Sequence, residues 1–170
     1  MYFSELNTFD VSNGPGIRVS LFTSGCKGMP CEKYCFNQVA QSFTYGQEWT
    51  SKDHDHLLEA MREPYVKGLS ILGGEPTLQF RILTPLIHEV KQTFPKKDVW
   101  LWTGRVWEDA MKIRSFRELL ESADVVVDGP FIPTLASPSL RFRGSSNQRI
   151  IDVHQSTNHV KLITKYMGVV

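Results

Sequence analysis

The chain has little cysteine, no surplus of either charge, no long hydrophobic run and no internal repeat. Its only cysteines are Cys26, Cys31 and Cys35, packed into the run SGCKGMPCEKYCFN. An odd number confined to one loop excludes a disulfide framework, which needs paired cysteines spread along the chain. The absence of a fourth cysteine excludes an all-thiolate structural zinc site. Lys+Arg is 19 and Asp+Glu is 18, so the net charge is +1. That balance argues against a general nucleic-acid or membrane-surface role, which needs a basic excess. No apolar stretch approaches the roughly 20 residues that span a bilayer. The first residues, MYFSELNTFD, lack the charged and apolar regions of a signal peptide. A soluble, cytoplasmic protein is expected, in which thiols stay reduced and hold metal. No linker or low-complexity segment appears, so residues 1–170 read as a single domain.

What is present is an alternation of strand-like and helix-like segments. Ile17 to Thr23 reads as a strand entered through the turn Asn13-Gly14-Pro15-Gly16. It leads directly to Cys26. Residues 52–63 read as a helix, and Leu69 to Leu72 as a buried strand ending at Gly73-Gly74. Phe80, Leu83, Leu86, Ile87, Val90 and Phe94 recur at helical spacing until Pro95. Val99 to Thr103 is a strand, residues 105–121 a helix, and Ala123 to Val127 a strand closed by Asp128-Gly129-Pro130. This order predicts an α/β fold with a parallel sheet. The chain is too short for a complete eight-stranded barrel, so a partial, open parallel β/α barrel is expected. The C-terminal stretch, with Ile150-Ile151 and Val160 to Ile163, is expected to add a strand or a docking surface. In such folds the site lies at the carboxyl ends of the strands. The cysteine loop, Gly73-Gly74-Glu75-Pro76, Trp102-Thr103-Gly104 and Asp128-Gly129 all fall there.

Three thiolates suit a [4Fe-4S] cube with one iron left open to a small ligand. Zinc with His54 or His56 as fourth ligand is a second reading, and three unliganded buried cysteines a third. Gly73-Gly74-Glu75 alone is more often a turn, Thr103 a strand-end cap and Asp128 a turn residue. Arg141, Arg143 and Arg149 suit carboxylates or phosphates, or form a solvated charged face. Gly144-Ser145-Ser146 fits a backbone-lined anion pocket. Trp100, Trp102 and Trp107 belong in the core or at a partner surface.

The motifs NGPGIRVSLFTSGC, CFN, SILGGEP, VWLWTG, VVDGPF and RFRGSSNQR follow in order over residues 7–152. Together they resemble the activating proteins of anaerobic ribonucleoside-triphosphate reductase, a family of the radical S-adenosylmethionine (SAM) superfamily. One departure is visible: the chain reads C-x4-C-x3-C, one residue longer in each gap than the family pattern. The resemblance implies a radical SAM barrel and a [4Fe-4S] cluster on Cys26, Cys31 and Cys35. It implies SAM contacts from Tyr34, Cys35 and Phe36 on the adenine side and from Gly73, Gly74 and Glu75 at the amino group. Thr103 and Asp128 would face the SAM and the substrate channel; Arg141, Arg143 and Arg149 would grip the SAM carboxylate or the partner. The implied activity is an oxidoreductase that cleaves SAM reductively and places a glycyl radical on the reductase. An external low-potential donor such as flavodoxin would supply the electron. The alternatives are an activase of another glycyl-radical enzyme, of the pyruvate formate-lyase type, and a non-catalytic metal-binding module.

Overall fold

A computed structural model describes residues 1–156 and 159–167. Seven strands form one mixed sheet. In chain order they are β1 (Tyr2–Asp10), β2 (Ile17–Thr23), β3 (Gln47–Glu48), β4 (Val66–Gly73), β5 (Asp98–Trp102), β6 (Val125–Asp128) and β7 (Arg149–Asp152). Their order across the sheet is β3-β1-β2-β4-β5-β6-β7. The central pairs β2–β4, β4–β5 and β5–β6 are parallel. The flanking pairs β3–β1, β1–β2 and β6–β7 are antiparallel. The sheet is therefore parallel only at its centre. The short Asn13–Gly16 turn joins two strands that can pair only as a hairpin, whereas parallel neighbours need a long crossover.

Helices α1 (Ser51–Arg62), α2 (Phe80–Thr93), α3 (Trp107–Ala110) and α4 (Arg114–Ser122) provide the cover. The helix expected over 105–121 is interrupted. Ile113 is extended (φ −103°, ψ 114°), and the Trp107 N–H is taken by Asp128 Oδ2 at 2.7 Å, which pins the first turn to the end of β6.

Side chains alternate across each strand. Val19, Leu21, Leu69, Ile71, Val99, Leu101 and Val126 point to one face, where all four helices bury Leu57, Met61, Leu83, Ile87, Trp107 and Leu119 against them. Among the described residues the other face carries no α-helix, only the short 3-10 turn Thr164–Tyr166. There Trp100, Val125, Val127 and Ile150 pack with Trp102, Phe142, Ile163, Tyr166 and Met167. The C-terminal stretch thus covers this face and bridges β7 through Ile151 and Leu162, as an extra layer of chain beside the strand Arg149–Asp152.

Arg18 lies on this same face, away from the α-helices, and is fully buried. It donates to Ser70 Oγ (2.6 Å) and the Leu69 carbonyl (2.9 Å), and pairs with Asp98 (2.7 Å). A buried guanidinium is tolerable only with partners of this kind. Among the described residues no helix is long and apolar enough to cross a membrane.

Candidate functional site

Because β2, β4, β5 and β6 are parallel, their carboxyl ends share one edge of the sheet. The loops leaving them are tied together by backbone hydrogen bonds. The Gly74 N–H reaches the Thr23 carbonyl (2.7 Å), Glu75 N–H reaches Gly25 O (2.8 Å), and Thr103 N–H reaches Val127 O (2.9 Å). Glycine is required where the first two loops meet. Gly73 has φ +109°, and a Cβ on Gly74 would stand 2.5 Å from the Gly25 carbonyl oxygen. The pair lets two backbones touch beside Cys26.

The cysteine loop is compact despite its long gaps. Cys31 and Cys35 flank a 3-10 turn at Glu32–Tyr34. The Tyr34 N–H bonds to Cys31 O (2.9 Å), and the Cys35 N–H bonds to Glu32 O (3.2 Å). In the first gap, Gly28 takes φ +77°, and the Met29 N–H is held by Glu32 Oε1 (2.9 Å). Each additional residue is absorbed in a turn. The three thiols are free and half-buried. Burial, and next the Glu75 charge, push the Cys26 thiol up to about 12, with the other two cysteines adding to the rise. Burial raises Cys31 as well, opposed by a hydrogen bond from the Phe131 backbone.

His54 is engaged elsewhere, 3.0 Å from Glu89 and edge-on to Trp49. His56 lines a separate groove with Thr8, Glu59 and Tyr65. Neither candidate for a fourth zinc ligand approaches the thiols. A loop of three soft, reduced sulfur donors fits an iron–sulfur cube with one position left open.

Two adjoining cavities lie beside the loop. The smaller, about 160 Å³, is lined by Cys31, Cys35, Phe36, Gly73, Gly74, Thr103 and Gly104. The larger, about 630 Å³, runs along the face away from the α-helices, from Cys35 and Phe36 past Phe22, Leu72 and Arg143 to Asn13. Trp102, Phe131 and Gln148 line both. Phe131 and Gln148 stand inside the quoted motifs, and chain order alone does not reveal which way they face.

Other expected contacts are differently engaged. The Glu75 carboxylate is 1% exposed. It accepts hydrogen bonds from Thr77 N–H (3.1 Å), Thr77 Oγ1 (2.7 Å), Thr103 Oγ1 (2.7 Å) and Gly104 N–H (2.9 Å). Asp128 and Arg149 meet each other across β6 and β7 at 2.5 Å, and Arg149 also grips Glu108 (2.8 Å). These hydrogen bonds hold the Arg149 guanidinium well above its ordinary range. Tyr34 is half-exposed, with Lys33 Nζ 4.6 Å from its ring centre. Arg141 stacks over Phe142 and Tyr166. Arg143 is buried and donates to the carbonyls of Ser146, Gln148 and Met167. Its Nε has no hydrogen-bond partner among the described residues.

An α/β sheet with three thiols on its first parallel strand-end loop defines an iron–sulfur protein. Residues 12–151 match the family described as a 4Fe-4S single cluster domain. Three similar proteins are named anaerobic ribonucleoside-triphosphate reductase-activating protein. That of Vibrio cholerae is 38% identical over 88% of this chain and 97% of its own length. That of Haemophilus influenzae is 39% identical over the same shares, and that of Enterobacteria phage T4 is 36% identical over 88% and 93%. The chain belongs to the family of anaerobic ribonucleoside-triphosphate reductase-activating proteins.

Proposed function

We propose that the chain is a single-domain radical SAM activase of the cytoplasm that generates a glycyl radical on anaerobic ribonucleoside-triphosphate reductase. The observation that carries this reading is the shared cavity in which Cys31 and Cys35 face Gly73-Gly74 and Thr103-Gly104. Four α-helices on one face of the sheet, with no α-helix among the described residues on the other, support an open half-barrel. A protein substrate needs such an opening, since a glycine held in a polypeptide must enter from the side.

Cys26, Cys31 and Cys35 would hold the [4Fe-4S] cluster. Bound there and reduced by a donor such as flavodoxin, it supplies the electron that splits SAM into methionine and a 5′-deoxyadenosyl radical, which takes hydrogen from the reductase glycine. The remaining roles fall to the chain. Cys26 is protonated in the free protein and gives up its proton when it becomes a ligand. Phe36 and the backbone beside Cys35 and Gly73 offer the adenine a flat, uncharged wall. Arg143 is the one of the three arginines that lines the larger cavity, and its guanidinium is the one best placed for the SAM carboxylate. Glu75 and Thr103 brace the β4 and β5 ends, and Asp128 with Arg149 braces the β6 and β7 ends. Arg141 and Tyr34 lie outside this wall, on the side available to a partner.

Anaerobic reconstitution with iron and sulfide tests the reading. A brown protein with about four irons is expected, with an electron paramagnetic resonance signal that changes on adding SAM and a glycyl radical on the reductase. A colourless zinc-loaded protein overturns it. A radical on a pyruvate formate-lyase type enzyme, and none on the reductase, reassigns the partner.

A further inference from the structure

Between Tyr34 and Gln47 there is no charged residue, although 22% of the chain is charged. The segment nevertheless lies on the surface. Phe36 is wholly exposed, Val39 is 58% exposed, Phe43 43% and Tyr45 39%. Its shape is defined. A 3-10 turn spans Gln38–Gln41, and Gln41 Nε2 ties it to the Glu32 carbonyl of the cysteine turn (2.7 Å). Gly25 N–H and Cys26 N–H bond to the carbonyls of Ala40 (2.8 Å) and Gln41 (3.0 Å). The Phe43 ring packs over Gly25, where a Cβ would meet it at 2.4 Å.

This is an ordered lobe, fastened to the first cysteine, that presents aromatic and aliphatic side chains without charge. Depletion of charge with enrichment in Tyr and Phe is the composition of the buried centre of a protein–protein interface. An exposed apolar patch on an ordered surface marks such a contact. The lobe is also continuous with the site, since Phe36, Asn37 and Ala40 line the larger cavity.

We infer that the outer face of the lobe, with Val39, Phe43 and Tyr45, is the docking surface for the reductase. There it seats an uncharged, apolar protein surface beside the glycine that enters the cavity. The inference rests on the activase reading, because only a protein substrate must touch the rim of the cavity it enters. Since the lobe is already ordered, docking on it loses little conformational entropy. It also couples docking to the loop that carries Cys26.

Val39→Glu and Tyr45→Glu place charge on side chains that line neither cavity. Both are made in the full chain, reconstituted anaerobically, and titrated against the purified full-length reductase by calorimetry. Each is expected to weaken binding at least tenfold and to lower glycyl radical yield in proportion at limiting reductase. Iron content and reductase-free SAM cleavage by the dithionite-reduced protein stay at the level of the unaltered chain. The milder Val39→Ser and Tyr45→Ser, which leave the turn uncharged, are expected to weaken binding by smaller factors in the same direction. Affinity within twofold of the unaltered chain for both Glu variants overturns the inference. So does loss of self-association at unchanged reductase affinity, which makes the patch an interface between copies. Failure of the unaltered chain to place a radical on the reductase defeats the activase reading itself, and this inference with it.

Discussion

The Glu75 carboxylate accepts the Thr103 hydroxyl proton in a 2.7 Å hydrogen bond, joining the end of β4 to the end of β5. Both residues are buried. The same carboxylate accepts the Gly104 N–H and lies close enough to raise the Cys26 thiol. One side chain therefore organises two strand-end loops and the charge environment of the first cysteine.

Glu75→Gln keeps the shape but turns an NH2 group toward one of these N–H donors. A buried donor without an acceptor costs about 1–3 kcal/mol. The variant should unfold at lower urea concentration and bind less iron after reconstitution. Thr103→Val removes two hydrogen bonds, the one to Glu75 and the one from the Arg105 N–H (3.1 Å), and should cost about 1–2 kcal/mol. Urea titration of both variants, with iron assayed per chain, checks the order.

Gly74→Ala drives a Cβ to 2.5 Å from the Gly25 oxygen, so the loop bearing Cys26 must move. Cluster loading should fall several-fold. Gly28→Ala meets nothing within 4 Å and incurs only the left-handed backbone penalty, about 1–2 kcal/mol. Its loading should remain much closer to that of the unaltered chain. Iron and sulfide content of the two reconstituted proteins discriminates clash from strain.

Cys31→Ala should abolish SAM cleavage, as should Cys26→Ala and Cys35→Ala. The Glu32–Tyr34 turn supplies the geometry: it folds the three-residue gap so that Cys31 and Cys35 line one cavity. Yield of 5′-deoxyadenosine per chain is the readout. Full yield from Cys31→Ala would remove it from the ligand set.

Acid stability should depend on Asp10. Burial alone would raise its carboxyl, but hydrogen bonds from Ser20, Asn13 and Ser12 outweigh this and hold it below the usual carboxylate range. A depressed folded value stabilises the fold above the unfolded value of about 3.9. That increment is lost as pH falls through the folded value. Asp10→Asn should be less stable by about 1–2 kcal/mol at neutral pH, and the gap should narrow below about pH 4. Urea midpoints measured from pH 7 downward check both size and sign.

The face away from the α-helices also predicts a stability effect. Arg18→Ala leaves Ser70, Leu69 and Asp98 without their shared donor and opens space beside Trp100, whose ring centre is 5.6 Å from the guanidinium carbon. A loss of about 2–4 kcal/mol is expected from unmade hydrogen bonds and the cavity together. Urea denaturation of the metal-free protein under reducing conditions measures it.

Strands β4, β5 and β6 were legible because apolar runs closed by glycine or Asp-Gly leave few alternatives, and β2 because the turn Asn13-Gly14-Pro15-Gly16 opens it. Strand β1 was not. Its residues alternate only loosely between buried and exposed, with bulges at both ends of its pairing to β2, so no period of two stands out in YFSELNTFD. The single helix expected over 105–121 is broken at Ile113, whose extended backbone separates α3 from α4, while Asp128 caps the free Trp107 amide of the first turn. For the site, residue identity was readable and direction was not. Glu75 and Asp128 stand at the expected strand ends, yet Glu75 turns to Thr103 and Gly104 and Asp128 to Arg149.

The sequence by itself determined which loops carry chemistry: three soft donors with no fourth, and Gly-Gly, Thr-Gly and Asp-Gly at successive strand ends. Those features are local, fixed by residue type and spacing. Tertiary structure decided which polar groups are consumed in holding the loops, Glu75, Asp128 and Arg149 among them. It also decided that the four α-helices of the described residues share one face, leaving the other to form the long cavity, and that the uncharged lobe stands at its rim. These outcomes depend on contacts between residues such as Gly25 and Gly74 or Glu75 and Thr103, whose meeting only the folded sheet brings about.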